Sequence, residues 1–325
     1  MIARRTALAA PFLALPALDR PAVAQGRYPD RPIRIVSAFP PGGTTDVLAR
    51  ALSAKWAEPP LSGQAVVENR PGGGGSIGTD YVARAAPDGY TLALGNNQTH
   101  AANASLIPNL PYDPASFAAV CFLARVPHVL VVPAASPARD VAGLIAMARS
   151  GTNLSYASSS VGSAAHLMAE TFSRRQNLNA VHVPYRGAAP AVADLVAGVV
   201  QFSMATWASV ASLVADGRLR VLGVGGDRRF TELPDVPTLR EQGYDYLSAD
   251  AWFGLFAPGG TPMPIRQTLY EATEVALTDP AIRARLTAAG FGVETMPPEP
   301  FQAFVAAEIP RWATLVREAG VTIRD

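Results

Sequence analysis

Strand-like apolar runs alternate with helical patterns along most of this chain, and the alternation occurs in two separate series. The first series opens with an apolar run at 33–38 and an amphipathic pattern at 46–57. Strands that alternate with helices in this way are typical of βαβ units, whose strands lie parallel in one sheet. The pattern therefore predicts an α/β protein. This series continues with strands at 65–68 and 90–94 and a helix at 77–86.

The second series begins near residue 129 and ends in a tail of a different kind. After a last strand at 252–257, three helices are expected to start near Pro264, Pro280 and Pro298, because proline suits a first helical turn. Two series in 325 residues predict two sheets, each mainly parallel and flanked by helices, rather than one very wide sheet. The second series comprises strands at 129–132, 154–157, 180–183, 200–204 and 219–224, and helices at 140–149, 163–174, 188–197 and 207–215.

The N-terminus has the composition of a secretory signal peptide. Arg4 and Arg5 precede an apolar stretch at 6–18. Ala22-Val23-Ala24 then has the small-residue pattern of a signal-peptide cleavage site. The apolar stretch is shorter than a membrane span, so we expect a signal peptide at 1–24 that is cleaved near Ala24, and no membrane anchor. The exported protein is then expected in the periplasm. Paired arginines occur in twin-arginine and in ordinary Sec signals, so the export route stays open.

Charge and cysteine content exclude several kinds of partner and site. The formal net charge is +1 and the arginines are scattered, which gives no reason to expect nucleic acid as a partner. Cys121 is the only cysteine, so neither an intramolecular disulfide nor a cysteine metal site is expected. Its apolar neighbours predict a buried packing residue. The four histidines lack the spacing of metal ligands, and we expect no metal.

A glycine-containing turn joins the first predicted strand to the first predicted helix. Gly42 and Gly43 allow a tight turn that exposes backbone N–H groups, and Thr44 or Thr45 can cap the helix. Asp46 complements the positive end of the helix. Because unpaired N–H groups and the helix dipole converge at such a turn, it favours an anion. A well-capped helix without a ligand gives the same pattern, and both interpretations stay open.

Three further strand exits carry polar residues. Asn96 and Asn97 follow one strand, the serine-rich segment 158–163 follows another, and Tyr185 and Arg186 follow a third. Such groups at the carboxyl ends of parallel strands lie where α/β sheets bind ligands. A plain polar loop with Asx turns explains the two asparagines almost equally well.

The glycine run 72–75 matches two enzyme motifs. A G-x-G-x-x-G spacing starts at Gly73, but no acidic residue follows about twenty residues later to hold a ribose. A G-x-S-x-G spacing surrounds Ser76, but no histidine follows His182, where a hydrolase of that type needs a late one. Glycine runs match such patterns by chance, so we favour a flexible loop and expect no cofactor and no catalysis. An exported serine hydrolase that uses Ser76 is the alternative.

A series of short motifs runs through the chain in a fixed order. Together they resemble the Bug-type periplasmic receptors of tripartite tricarboxylate transporters, over essentially the whole chain that follows the signal peptide. The motifs include Tyr28-Pro-Asp-Arg-Pro-Ile-Arg34, Pro41-Gly-Gly-Thr-Thr-Asp46, Val67-Glu-Asn-Arg-Pro-Gly-Gly-Gly-Gly-Ser-Ile-Gly78, Ala86-Pro-Asp-Gly-Tyr-Thr-Leu92, Val181-His-Val-Pro-Tyr-Arg-Gly187, Leu233-Pro-Asp-Val-Pro-Thr238 and Ala251-Trp-Phe-Gly-Leu-Phe-Ala-Pro258.

The resemblance implies a two-lobed periplasmic-binding-protein fold, the Venus flytrap. Lobe 1 is expected to be discontinuous, with 27–127 plus 251–325, and lobe 2 is expected at 128–250. The implied function is that of a monomeric solute-binding protein that holds a small organic carboxylate between its lobes. Its implied partners are the membrane permease subunits of a tripartite tricarboxylate transporter. A receptor that signals to a sensor kinase of a two-component system stays open as an alternative.

The resemblance also implies which residues contact the ligand, largely through backbone amides and hydroxyls. One departure concerns Ala205, which stands where an Asp is common in the family; it disfavours an amine-bearing ligand and favours an aromatic or otherwise non-standard one. Trp207 is then expected to supply an aromatic wall. The implied contacts are Phe39, Gly42, Gly43, Thr44, Thr45, Asp46, Asn96 and Asn97 in lobe 1, and Ser158, Ser160, Gly162, Ser163, Tyr185, Ala205 and Thr206 in lobe 2.

Overall fold

The strands form two separate sheets in the computed structural model, which describes residues 28–226, 229–247 and 250–322. The predicted signal peptide and its cleavage site lie outside these residues. The strands are β1 Ile33–Ser37, β2 Ala65–Asn69, β3 Thr91–Asn96, β4 Ala118–Val126, β5 His128–Pro133, β6 Ser155–Ser158, β7 Val181–Pro184, β8 Phe202–Thr206, β9 Leu219–Val224, β10 Ala251–Ala257 and β11 Gly292–Met296. The helices are α1 Thr44–Trp56, α2 Ser76–Ala83, α3 Asn103–Leu106, α4 Val141–Arg149, α5 Ala164–Gln176, α6 Ala188–Val196, α7 Trp207–Ala215, α8 Met263–Thr278, α9 Pro280–Ala288 and α10 Pro298–Ala319.

The two sheets have related layouts. The first has the order β11-β4-β10-β3-β1-β2. Strand β1 is parallel to β2 and β3, whereas β10 is antiparallel to β3 and β4, and β11 is antiparallel to β4. The second has the order β7-β6-β8-β5-β9, in which β6 is parallel to β7 and β8, whereas β5 is antiparallel to β8 and β9. Each sheet therefore combines a parallel βαβ part with antiparallel strands.

The α/β class and the two-lobed fold are confirmed, but both sheets are mixed rather than mainly parallel. The chain leaves the first sheet between β4 and β5, at Pro127, and returns to it at β10. The strands next to these crossings are β4, β5 and β10. Each of them is antiparallel to the strands beside it in its own sheet. The βαβ prediction thus holds for β1–β3 and β6–β8 only.

The three expected tail helices are present as α8, α9 and α10, but strands β4 and β11, helix α3 and the turn before α3 were not predicted. Strand β11 lies between α9 and α10, and residues Gln98–Ala102 form a π-helical turn that leads into α3. Both α8 and α10 pack on β4, so the end of the chain belongs to the first sheet. The lobe limits at 127/128 and 250/251 stay a prediction, which the strand membership of each sheet supports.

Buried groups in the first lobe include one unusual carboxylate. Glu308 on α10 is 4% exposed, and its Oε2 accepts hydrogen bonds from the indole nitrogens of Trp252 at 2.7 Å and Trp312 at 2.8 Å. Arg311 donates to the other oxygen at 2.8 Å. The carboxylate thereby joins the returning strand β10 to the last helix. Cys121 on β4 is fully buried, which raises the pKa of its thiol, and the predicted packing role is confirmed.

Within the described residues, no helix combines the length and the apolar character of a membrane span.

Candidate ligand-binding cleft

A cleft of about 530 Å³ lies between the two sheets and is lined by loops from both. The first lobe contributes the turns after β1 and β3, strand β10 and the loop before β11. The second lobe contributes the turns after β6, β7 and β8. These turns lead into α1, α5, α6 and α7, so four helix N-termini converge on the cleft. Helix N-termini present unpaired N–H groups and a positive dipole end.

The turn before α1 is held open by the Asp46 carboxylate. Its oxygens accept hydrogen bonds from the Gly42 amide at 3.0 Å, from Asn69 Nδ2 at 2.9 Å and from Arg50 Nε at 2.8 Å. Burial alone raises the pKa of this carboxyl, but these bonds outweigh it and hold the pKa below its usual value. Among the described residues, the amides of Thr44 and Thr45 find no protein acceptor, and both residues line the cleft.

The turn before α5 is built in the same way from a different set of residues. Ser163 caps the helix by accepting from the His166 amide at 3.3 Å, and the Gly162 amide donates to His166 Nδ1 at 2.9 Å. Within the described chain the amides of Ala164 and Ala165 have no protein acceptor, and both residues line the cleft. Each lobe thus supplies free amides to the same space.

The turns before α6 and α7 complete the second-lobe wall. Gly187 has φ +116, a conformation that favours glycine, and Ala188 and Ala189 follow it along the cleft. At α7, the hydroxyl of Ser209 donates to the Thr206 carbonyl at 2.7 Å.

The cleft lining is almost free of charge. Arg186 is the one Arg or Lys in the lining, and no Asp or Glu belongs to it among the described residues. Arg186 is exposed, and no ion pair is formed by its guanidinium within the part of the chain that the structure describes. Asn97 is 3% exposed, lines the cleft and makes no side-chain hydrogen bond to the described residues. The electrostatic character of this space suits an anion.

Gln98 connects the two lobes directly. Its side-chain nitrogen donates to the Val161 carbonyl, and its side-chain oxygen accepts from the Ser160 hydroxyl, both at 3.3 Å. Gln98 follows β3 of the first sheet, whereas Ser160 and Val161 follow β6 of the second. These bonds close one part of the cleft without any contribution from a ligand.

A stacked histidine pair lies behind the turn before α5. The rings of His166 and His182 are 3.7 Å apart between centroids and nearly parallel, and His182 Nε2 is 2.7 Å from the Ser158 hydroxyl. Burial lowers the pKa of His166 to about 3, and the nearby His182 adds to this effect. Burial likewise lowers the pKa of His182 to about 4. The neutral pair therefore fixes the Ser158 and Gly162 ends of the turn.

These shifts predict a loss of stability in acid. His100 is fully buried, and burial lowers its pKa to about 3, whereas an unfolded histidine titrates near 6.5. Below pH 6.5 the unfolded chain binds protons that the folded chain does not, so His100 and His166 each remove up to about 1.4 kcal/mol per pH unit from the free energy of unfolding. Urea titrations at pH 7 and pH 5 measure this, and His100→Leu should reduce the slope by about one proton. Equal stability at both pH values would contradict it.

The structure brings ten of the fifteen sequence-predicted contacts to the cleft. The other five do not line it: Tyr185 donates to Asp194 at 2.6 Å, and Asp46, Ser158, Ser160 and Gly162 make the bonds described above. Trp207 does not belong to the lining either and packs edge to face on Phe230, so the wall expected from it stays a prediction. The ten at the cleft are Phe39, Gly42, Gly43, Thr44, Thr45, Asn96, Asn97, Ser163, Ala205 and Thr206.

Several lining residues were missed from the sequence. Arg186 was visible at a strand exit but was not chosen, whereas Phe253 and Phe291 come from the returning strand and the tail and carry no local signal. Their rings meet edge to face at 6.2 Å between centroids. Ser76 lies outside the cleft, and within the described chain it makes no hydrogen bond to a histidine. Nor do the described residues gather three or more His, Cys, Asp or Glu side chains where they could hold a metal.

Comparison with known proteins agrees with this architecture. Residues 48–321 match the family described as tripartite tricarboxylate transporter family receptor (TctC). The chain is 38% identical to Protein BugT of Bordetella pertussis over 317 residues, which cover 96% of both chains. The solved structure of R. palustris Rpa4515 with adipate has a TM-score of 0.85 at 34% identity, covering 91% of this chain and 99% of that one. MatC from Rhodopseudomonas palustris with bound malate has a TM-score of 0.80 at 33% identity, covering 89% and 100%.

The family match covers most of the chain, and the neighbouring structures share its two-lobed fold. Family and neighbours are receptors that bind solutes, so the protein is not an enzyme, and the hydrolase alternative is wrong. The chain therefore belongs to the tripartite tricarboxylate transporter receptor family of periplasmic solute-binding proteins, as its Bug-type motifs implied.

Proposed function

We propose that this protein captures a small organic carboxylate between its lobes in the periplasm and presents it to the permease of a tripartite tricarboxylate transporter. One observation carries the proposal: free amides at the N-termini of α1 and α5, one helix per lobe, face a single cleft whose described lining holds no acidic side chain. The adipate and malate bound to the relatives named above agree with a carboxylate ligand.

The strength of such a clamp can be judged from its parts. A micromolar receptor needs about 8 kcal/mol net. Each helix dipole contributes about 0.3–1 kcal/mol, or up to about 2 when partly buried, and each hydrogen bond to a charged group about 1.5–3. Two dipoles and several such bonds reach the required total only when closure excludes water and holds the donors in place. The cross-lobe bonds of Gln98 favour such closure.

The fifteen residues predicted from the sequence are proposed to have one of two roles in binding. Those that line the cleft are proposed to contact the ligand. Asp46, Ser158, Ser160, Gly162 and Tyr185 are proposed to act through the turns, because their polar groups are engaged in internal hydrogen bonds.

Ligand capture is tested by what the protein holds after purification from the periplasm. Native mass spectrometry should find a small acid, and titration calorimetry with mono-, di- and aromatic carboxylates should give at least one micromolar ligand. Absence of binding across the whole panel would contradict the proposal. Sequencing the N-terminus of the same sample tests cleavage near Ala24.

The membrane partner is tested separately by crosslinking the liganded protein to native membranes. We expect permease subunits among the crosslinked proteins. Recovery of a sensor kinase instead would assign a signalling role and overturn the transport part of the proposal.

Arg186 is expected to strengthen the binding of carboxylates from the mouth of the cleft. Its charge is exposed, so Arg186→Gln should weaken affinity by only about two- to tenfold, and the difference should shrink as salt rises. Arg149→Gln, which removes an exposed arginine of the same lobe outside the cleft, is the matched control. Calorimetry at low and high salt measures both variants. Equal effects of the two changes would show that Arg186 acts only through net charge.

A further inference from the structure

The cleft has two chemically different regions. Free amides of α1 and α5 form one of them. The other region is apolar: Phe253 and Phe291 bring two nearly fully buried rings, and Ala205, Ala208 and Ala289 leave space beside them. Phe253 is paired with Asn96 in the sheet register, so the aromatic wall begins directly beside the polar turn after β3.

We infer that the ligand is an aromatic monocarboxylate, whose carboxylate lies at the α1 and α5 amides and whose ring lies against Phe253 and Phe291. The inference rests on the proposed function and narrows its ligand class. Aromatic rings prefer edge-to-face or offset packing, and the two phenylalanines already meet in that way at 6.2 Å. A ligand ring beside them extends an existing aromatic cluster.

The charges of the lining disfavour the other ligand classes. An amino acid needs an anion for its ammonium group, and the described lining supplies no Asp or Glu. A second carboxylate against the aromatic wall is also disfavoured, because the one Arg or Lys of the described lining, Arg186, is exposed to solvent whereas both phenylalanines are buried. The α7 amide of Ala208 is covered from the other lobe, since a Cβ placed on Gly290 would lie 2.9 Å from its nitrogen. The inner end of the cleft is therefore suited to an uncharged group.

The volume agrees with this ligand class. Clefts of about 300–1,000 Å³ are typical of sites that enclose a whole organic molecule. At about 530 Å³, this cleft has room for a ring in addition to its carboxylate.

The inference is tested with benzoate, phenylacetate, adipate, succinate and L-phenylalanine as calorimetric probes. We expect benzoate or phenylacetate to bind at least about tenfold more tightly than either diacid, since burial of a ring adds more than burial of a short methylene chain. L-phenylalanine should bind worst of the aromatic probes. Tight adipate or succinate binding with weak aromatic binding would overturn the inference and leave the carboxylate receptor standing. No binding of any probe would count against both.

Substitutions at Phe291 and Ala205 test the wall itself through the ratio of affinities. Phe291→Ala should reduce benzoate affinity by about tenfold or more and leave adipate affinity within about twofold. If this variant does not fold, Phe291→Leu keeps an apolar side chain and should reduce the same ratio less. Ala205→Asp should weaken benzoate and improve the relative affinity of L-phenylalanine. An unchanged benzoate-to-adipate ratio in a folded Phe291 variant would overturn the placement of the ring.

Discussion

Introducing proline at both Thr44 and Ala164 is expected to weaken carboxylate affinity by about 10²–10⁴-fold. Each proline deletes one backbone N–H from a helix N-terminus that faces the cleft, and a hydrogen bond from such a group to a charged ligand contributes about 1.5–3 kcal/mol. The two substituted amides come from opposite lobes but share one ligand, so comparison of the double variant with the two single variants measures how far the losses add. Titration calorimetry of the single and double variants measures them.

The change is specific because both positions are the first residue of their helix. Proline is well tolerated there, since the deleted N–H has no partner within the helix. The preceding residues, Gly43 with ψ 172 and Ser163 with ψ 157, already have the extended conformation that proline requires before it. Thr44→Val and Ala164→Val are the controls, because they add similar volume and keep the N–H. If the valine variants lose as much affinity as the prolines, the amides are not the binding groups.

Truncation of Glu308 is expected to cost about 3–5 kcal/mol of the free energy of unfolding. Glu308→Ala leaves the indole N–H groups of Trp252 and Trp312 buried without an acceptor and opens a cavity between β10 and α10. Glu308→Gln keeps an acceptor oxygen and should lose less. Denaturant titration monitored by tryptophan fluorescence measures the series.

The matched control is Glu318→Ala, on the same helix. Its side chain is 38% exposed and pairs with Arg175 at 3.2 Å, so its removal should change stability by less than about 1 kcal/mol. Similar losses for Glu308→Ala and Glu318→Ala would mean that the buried network contributes nothing beyond a surface ion pair.

The sequence predicted the fold well where signals are local. Alternating periodicity located the βαβ parts of both sheets, and proline at the first turn located α8, α9 and α10. It could not reveal that β10 returns antiparallel between β3 and β4, because that pairing joins residues far apart in the chain. Strand β11 was missed because it is only five residues long and lies between two helices.

The site divides in the same way. Turns that follow strands, such as the one with Gly42 and Gly43, were found because glycine and hydroxyl residues mark them locally. Whether a polar side chain is available to a ligand depends on its partners within the protein. Asp46 and Tyr185 have the residue types of ligand contacts, but Asp46 accepts a hydrogen bond from Arg50 and Tyr185 donates one to Asp194. Sequence patterns do not contain that information. Phe291, which directly precedes β11, likewise acquires its place at the cleft only through the tertiary fold.

The hydrogen bonds that Gln98 makes across the cleft bear on two quantities that a titration reports as one: the intrinsic affinity for the ligand and the fraction of molecules that are already closed. Gln98 belongs to the first lobe, and its partners Ser160 and Val161 belong to the second. These bonds therefore stabilise the closed arrangement without a ligand. Measured affinity equals intrinsic affinity scaled by the fraction of molecules already in the competent shape. The Gln98 side chain, which lines the cleft, therefore influences how often the unloaded receptor resembles the loaded one.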